Sequence, residues 1–248
     1  MEWTTWLPTA VALLLLAAVA TSLLLVNRIP TPWSALIALL RAAAQLAVLS
    51  LILSGIIESP ALVAIALVVM YVAAVFTAAR RAHAGRRQLA ALAVSMAAGN
   101  LVVLVIVFST GAIEFSPRFV LAVGGIVIGN TMTIGGLTAR QFRTAVGDHW
   151  DEVEGWLALG APPPVATRQL ARSSVLTALV PSIDQTKTTG IVVLPGAFVG
   201  AIFAGASPLE AGRFQLVVLA SILAAGVVTA TILIRLIGAV AQKPTPVA

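Results

Sequence analysis

Cysteine is absent from this chain, which excludes disulfides, thiol catalysis and iron–sulfur ligation. Two histidines, His83 and His149, leave little from which to build an imidazole metal centre. Lysine occurs only as Lys187 and Lys243, neither of them after a glycine, so the phosphate-cradling pattern Gly-x4-Gly-Lys-Ser/Thr cannot be drawn. His-Glu-x-x-His, Gly-x-Ser-x-Gly and an EF-hand loop are missing too, which argues against a hydrolase. Any ATP dependence would therefore have to come from a second subunit. Charge itself is scarce: 10% of the 248 residues are Asp, Glu, Lys or Arg, while 60% come from AVILMFWYC. With a mean hydropathy of +1.05, this is the composition of an α-helical membrane protein and not of a water-soluble domain. The formal net charge of +6 is a poor argument for nucleic-acid binding when so little surface would face water.

What the chain has in abundance is uninterrupted apolar sequence. A hydrocarbon core about 30 Å thick needs about 20 such residues per helix. Windows free of Asp, Glu, Lys and Arg run over 3–27, 59–79, 88–113, 119–139, 188–209 and 214–234, and a further window, 33–57, is interrupted only by Arg41. No period-2 alternation supports a β-barrel. The expectation is a single all-α polytopic membrane domain over 1–248 with seven transmembrane helices. The first window lacks a basic n-region: Glu2 precedes it and Asn27-Arg28 follows, the flanks of a retained helix with its N-terminus outside. Lysine and arginine counting extends this orientation. It assigns Arg28, Arg80, Arg81, Arg86, Arg87, Arg140, Arg143, Arg168, Arg172, Lys187, Arg235 and Lys243 to the cytoplasmic side, against Arg118 and Arg213 outside.

The outer connections are short and carry one glutamate each, Glu58, Glu114 and Glu210, beside turn residues. Residues 140–187 form the one long connection, with five basic and five acidic side chains. Within it Phe142, Val146, Trp150, Val153 and Leu157 recur at helical spacing, predicting an amphipathic helix that Gly160 and Pro162-Pro163-Pro164 end. A second helix through Val165, Leu170, Leu176 and Leu179 is expected to be interrupted by Pro181. Lipid-interface packing and partner docking both suit such helices.

Polar groups inside apolar spans are costly and face a bundle interior or a pathway. Arg41 and Gln45 lie one turn apart in the second span, Asn100 in the fourth, Asn130-Thr131-Met132-Thr133 in the fifth, and Asp184, Gln185 and Lys187 at the start of the sixth. Arg41 cannot be neutralised, so it needs carbonyls, a carboxylate or a route to the headgroups. Gly125/Gly129 and Gly196/Gly200 are spaced for close helix approach. Leu194-Pro195-Gly196 frees a backbone carbonyl within the predicted sixth span.

Two stretches go further. Glu154-Gly155-Trp156-Leu157-Ala158-Leu159-Gly160-Ala161, followed by Arg168 and by Leu179-Val180-Pro181, resembles the cytoplasmic loop by which ABC-transporter permeases dock on their ATPase. Ile128-Gly129-Asn130, Pro181-Ser182-Ile183-Asp184, Gly190-Ile191-Val192-Val193-Leu194-Pro195-Gly196 and Gly205-Ala206-Ser207-Pro208-Leu209-Glu210-Ala211 followed by Phe214-Gln215, with Arg41 and Gln45, resemble the FetB-type permease family of bacterial iron export and plant aluminium sensitivity. The resemblance implies a homodimeric permease in the plasma (inner) membrane that pairs with a separate ATP-binding subunit. ATP and magnesium would be held by that subunit, with no cofactor in this chain. It implies ATPase coupling through Glu154, Leu157, Gly160 and Arg168, and a pathway by Arg41, Gln45, Asn130, Asp184, Pro195 and Gly196. Many bacterial members carry paired methionines after the Pro-Gly, where this chain has Ala197-Phe198-Val199. A metal path here would use oxygens such as Asp184, Asn130 and carbonyls near Pro195. A secondary carrier coupled through Asp184 or Arg41, and a non-transporting scaffold, stay open on the residues alone.

Overall fold

The structure, a computed structural model, describes residues 3–57 and 59–244, so the predictions at Glu2 and Glu58 lie outside the described residues. Regular secondary structure among these residues is helical, apart from an isolated bridge between Thr189 and Val193. In chain order the helices are α1 (Trp3–Val26), α2 (Ser34–Ile56), α3 (Pro60–Arg81), α4 (Arg86–Ser109), α5 (Pro117–Asp148), α6 (Trp150–Ala158), α7 (Pro163–Ala166), α8 (Arg168–Thr188), α9 (Gly196–Phe203) and α10 (Pro208–Ile237). Proline opens α3, α5, α7 and α10, where its missing N–H costs nothing. The chain divides into two compact units, Met1–Glu58 and Ser59–Ala248.

In the first unit α1 and α2 touch each other. α1 is apolar all round, α2 carries Arg41 and Gln45 among its apolar residues, and no residue of the window Ser34–Leu51 of α2 is buried.

The second unit is a bundle built on α4, α5 and α10, with α3 against α4 and α5. Its direction is fixed by contacts at the two ends. Arg213 Nη2, in the first turns of α10, donates to the carbonyl of Ala112 just past α4 (3.2 Å), and Phe214 lies 5.8 Å from Phe119 at the start of α5. At the opposite end Arg143 Nη1 donates to the carbonyl of His83 (2.9 Å), and Thr167 Oγ1 donates to the carbonyl of Gly238. This second end gathers Arg80, Arg81, Arg86, Arg87, Arg140, Arg143, Arg168, Arg172 and Arg235.

Close approach of α4 to α10 holds the centre. A Cβ on Gly99 would collide with Thr229 Oγ1 and stand 2.6 Å from the carbonyl oxygen of Ala225. Gly226 makes room in the same way for Ile134 of α5, and Gly124 for Leu67 of α3. Around these points Leu92, Met96, Val127, Ile134 and Leu233 are fully buried. The predicted glycine pairs are not the ones used: Gly129, Gly196 and Gly200 face open space, and Gly125 meets only the tip of Met70.

Among the described residues six helices are long and apolar enough to cross a membrane, α1 to α5 and α10. The predicted sixth span, 188–209, is not one of them. Gly190 (φ +87) and Gly205 (φ +96) adopt left-handed backbone, and Pro195 cannot donate, so the helix starts only at Gly196. α9 is eight residues, about 12 Å at 1.5 Å per residue. Instead the more polar α8 runs along the bundle between the two ends, about 31 Å over its 21 residues. It starts beside Gly238, packs Leu179 on Ile134 and Ala230 at mid-height, and ends where Thr189 and Gly190 meet the first turns of α10. Within residues 140–187, α8 therefore lies along the bundle and not wholly at its basic end, and Lys187 leaves that end. Pro181 does not interrupt α8, because buried Ala178 and Leu179 hold the helix on its packed face through the missing hydrogen bond. The first amphipathic helix is split at His149: Phe142 and Val146 belong to α5, whose 32 residues make it about 48 Å long, more than the hydrocarbon needs.

The Gly99 contact yields a direct test. Gly99→Ala is expected to destabilise the detergent-solubilised chain by about 1–3 kcal/mol, read as a lowered thermal midpoint, because backbone must shift to admit the methyl group. Gly129→Ala, in open space, is expected to leave the midpoint unchanged or raise it by the equivalent of about 0.5–1 kcal/mol.

Candidate transport pathway and coupling surface

Three features of the second unit carry polar chemistry. The first is a layer across its core. Asn100 Nδ2 on α4 donates to the carbonyl of Met96 (2.7 Å) and to Thr131 Oγ1 on α5 (3.0 Å), and Thr131 donates to the carbonyl of Ile128 (3.1 Å). Thr229 of α10 lies against Gly99, one residue before Asn100. Asn100 Oδ1 and Thr229 Oγ1 are buried without a hydrogen-bond partner. Leaving such an atom unpaired costs about 1–3 kcal/mol, so these lone pairs are a deliberate expense or a place for a guest.

The second feature is a cavity of about 610 Å³ between the link that follows α8, the head of α9 and the first turns of α10. Pro195, Phe198, Leu209 and Leu216 supply its apolar wall, and Gln215 lines it with a buried, unpartnered Oε1. The capping box in which Ser207 Oγ accepts from the Glu210 N–H (3.2 Å) and Glu210 Oε2 accepts from the Ser207 N–H (3.1 Å) fixes where α10 begins and hence where Gln215 points. Glu210 is thus a capping residue of α10.

The third feature stands at the basic end. α6 packs by Val153, which is fully buried, while Glu154, Trp156 and Leu159 are exposed and Leu157 half-buried. Gly160 closes the helix in left-handed backbone (φ +86), with the Gly160 N–H on the Leu157 carbonyl and the Ala161 N–H on the Trp156 carbonyl, both 3.0 Å. Arg168, exposed, opens α8. Glu154, Leu157, Gly160 and Arg168 therefore occupy one end of the bundle, on the surface and at the head of a helix that runs into its interior.

The predicted pathway residues separate. Pro195 lines the cavity and Gly196 follows it at the head of α9. Asn130 is half-buried and spends its Nδ2 on the carbonyl of Ile126 in its own helix (2.8 Å). Asp184 is exposed and ion-paired with Lys187 (3.2 Å). Arg41 and Gln45 are exposed on α2 in the first unit. The sequence pattern places Gln215 only in the family resemblance and not in the pathway, and it does not single out Thr229 at all. The signal was the inward stripe of α10, Ala211, Gln215, Val218, Ile222, Ala225, Thr229 and Leu233, which recurs every three to four residues.

Comparison with known proteins is decisive for kinship. The profile of the uncharacterised protein family UPF0014 matches residues 6–240. The chain belongs to the UPF0014 family. This UPF0014 chain is 38% identical over 221 residues to the UPF0014 membrane protein STAR2 of Oryza sativa subsp. japonica, covering 88% of the chain and 78% of that protein. It is 34% identical over 187 residues to Protein ALUMINUM SENSITIVE 3 of Arabidopsis thaliana, covering 75% and 68%. Over 127 residues it is 36% identical to the probable iron export permease protein FetB of Escherichia coli (strain K12), covering 51% of the chain and 48% of that protein. No solved structure matches. The expected kinship therefore holds, in a family whose relatives include membrane proteins and a probable permease.

The UPF0014 bundle's interior offers neutral amide and hydroxyl oxygens, and among the described residues no three His, Cys, Asp or Glu gather as metal ligands. Such oxygens suit hydrated or hard species better than soft metal ions. The Asn100–Thr131 bond is open to a double-mutant cycle with Asn100→Ala and Thr131→Val. A coupling of about 0.6–1.7 kcal/mol in thermal unfolding is expected, the range of interhelical hydrogen bonds in membranes.

Proposed function

We propose that this chain is the membrane-spanning subunit of an ABC transporter that pairs with a separate ATP-binding subunit and moves a solute across the plasma membrane. The observation that carries the reading is the exposed surface of α6 and its C-cap, Glu154, Trp156 and Leu159, joined to α5 at His149 and to α8 through the Gly160 turn and α7. A nucleotide-binding partner closing on ATP would push on α6, and α5 and α8 would carry the push toward the cavity beside Pro195. The basic residues support a cytoplasmic position for this end, with α8 as the polar return crossing between α5 and α10. The N-terminus is then outside and the C-terminus inside. A homodimer would complete the pathway, two permeases serving two ATPases as the resemblance implies.

Metal-ion export, iron in particular, is the cargo suggested by the name of the FetB relative. In this chain the cargo would meet Gln215 Oε1, carbonyls near Pro195 and the Asn100–Thr131–Thr229 layer, all neutral oxygens. Reconstitution with the candidate ATPase, testing which solute stimulates ATP hydrolysis, addresses the substrate. Docking has its own test: Trp156→Ala or Glu154→Arg is expected to weaken ATPase co-purification by about 30-fold, the effect of losing an interface anchor of about 2 kcal/mol. Unchanged capture by both variants would sink the docking role of α6.

A further inference from the structure

At the basic end a second cavity of about 570 Å³ opens between α8 and α10. Three arginines line it: Arg168 and Arg172, one turn apart on α8, and Arg235 in the last turn of α10. No acidic side chain is among its lining residues. Among the described residues none of the three has an ion-pair partner, the one such pair being Lys187–Asp184. Like charges spaced i,i+4 repel, and Arg168 in addition sits at the positive end of the α8 dipole. Three cations thus converge on one space under conditions that each favour an anion. Ala171, Val175 and Ile234 give that space an apolar wall.

We infer that this cavity binds a phosphate group, with Arg168, Arg172 and Arg235 as its ligands. The guanidinium fork matches phosphate oxygens, and one anion held by both helices would tie the head of α8 to the tail of α10. Two sources of phosphate are compatible with the site, the headgroup of an anionic phospholipid and free inorganic phosphate. The apolar wall favours the lipid, since basic pockets between helices on the cytoplasmic face take such headgroups. The inference does not depend on what the protein transports.

Native mass spectrometry of the delipidated full chain tests it, with phosphatidylglycerol, phosphatidylcholine and inorganic phosphate as probes. Phosphatidylglycerol is expected to be retained about tenfold more tightly than phosphatidylcholine. Arg168→Gln/Arg172→Gln/Arg235→Gln should abolish that preference while Arg118→Gln, at the other end of the bundle, keeps it. Arg235→Gln alone should reduce the preference, which covers the case in which the triple variant fails to fold. Displacement of phosphatidylglycerol by millimolar inorganic phosphate, lost in the same variants, assigns the site to free phosphate; retention assigns it to the lipid headgroup. Equal retention of the two lipids with no arginine-dependent phosphate binding overturns the inference, as does an undiminished preference in the folded variants.

Discussion

Everything in the second unit depends on how closely α10 can approach α4. At Gly99 the two backbones come so near that no side-chain carbon fits between them, and Thr229 and the Ala225 carbonyl occupy the space. In lipid the hydrophobic effect does not drive helices together, so van der Waals contact at such small-residue surfaces must. Once α4 and α10 are clamped, α5 fits the groove they form through Ile134 against Gly226 and Val127 against Val103 and Ala225. The sheltered face between α5 and α10 then receives α8. A helix with Arg168, Arg172, Gln185, Asp184 and Lys187 is too polar for lipid, but one side of it, Ser174, Ala178 and Leu179, is buried against its neighbours. Its lodging in the bundle is a consequence of the tight pair beside it.

This hierarchy explains which parts of the fold are visible from sequence. α1 to α5 and α10 are legible because each presents a predominantly apolar run of 18 residues or more, about the length the hydrocarbon needs, a property of the residues alone. The course of 168–209 is not, because two competing signals there point the wrong way. Residues 188–209 are apolar enough to span, but Gly190, Pro195 and Gly205 impose backbone that a single helix cannot contain. Residues 168–188 read as a polar loop helix, and only the faces of α5 and α10 make a place for them. Hydropathy counts what a residue would lose to lipid and ignores what a neighbouring helix supplies.

The candidate site divides along the same line. Glu154, Leu157, Gly160 and Arg168 stand together because their positions follow from local spacing and the left-handed turn at Gly160. Asn130 and Asp184 looked equally functional as letters, but one satisfies its own helix and the other a lysine three residues away. Gln215 and Thr229 looked like ordinary members of an apolar span. Their significance comes from lying on the one stripe of α10 that faces inward, where an oxygen has no water to turn to.

The distribution of charge and unpaired oxygens bears on how such a bundle could move. Its interior holds no ionised side chain on the buried faces of α4, α5 and α10, so sliding these helices breaks no buried ion pair, a loss that would cost about 3–5 kcal/mol. The interior instead holds Asn100 Oδ1, Thr229 Oγ1 and Gln215 Oε1, acceptors with no partner in this arrangement. A shift that gave any of them a donor would recover part of the penalty already incurred, about 1–3 kcal/mol each, against whatever packing it disturbed. Two arrangements of α8 and α10 can therefore lie within a few kcal/mol of each other, the condition under which binding energy delivered at one end of a helix changes its setting at the other. The segment best placed to take up such a change is the link from Gly190 to Pro195, which has left-handed backbone at one end, a proline at the other, and only a short turn between them.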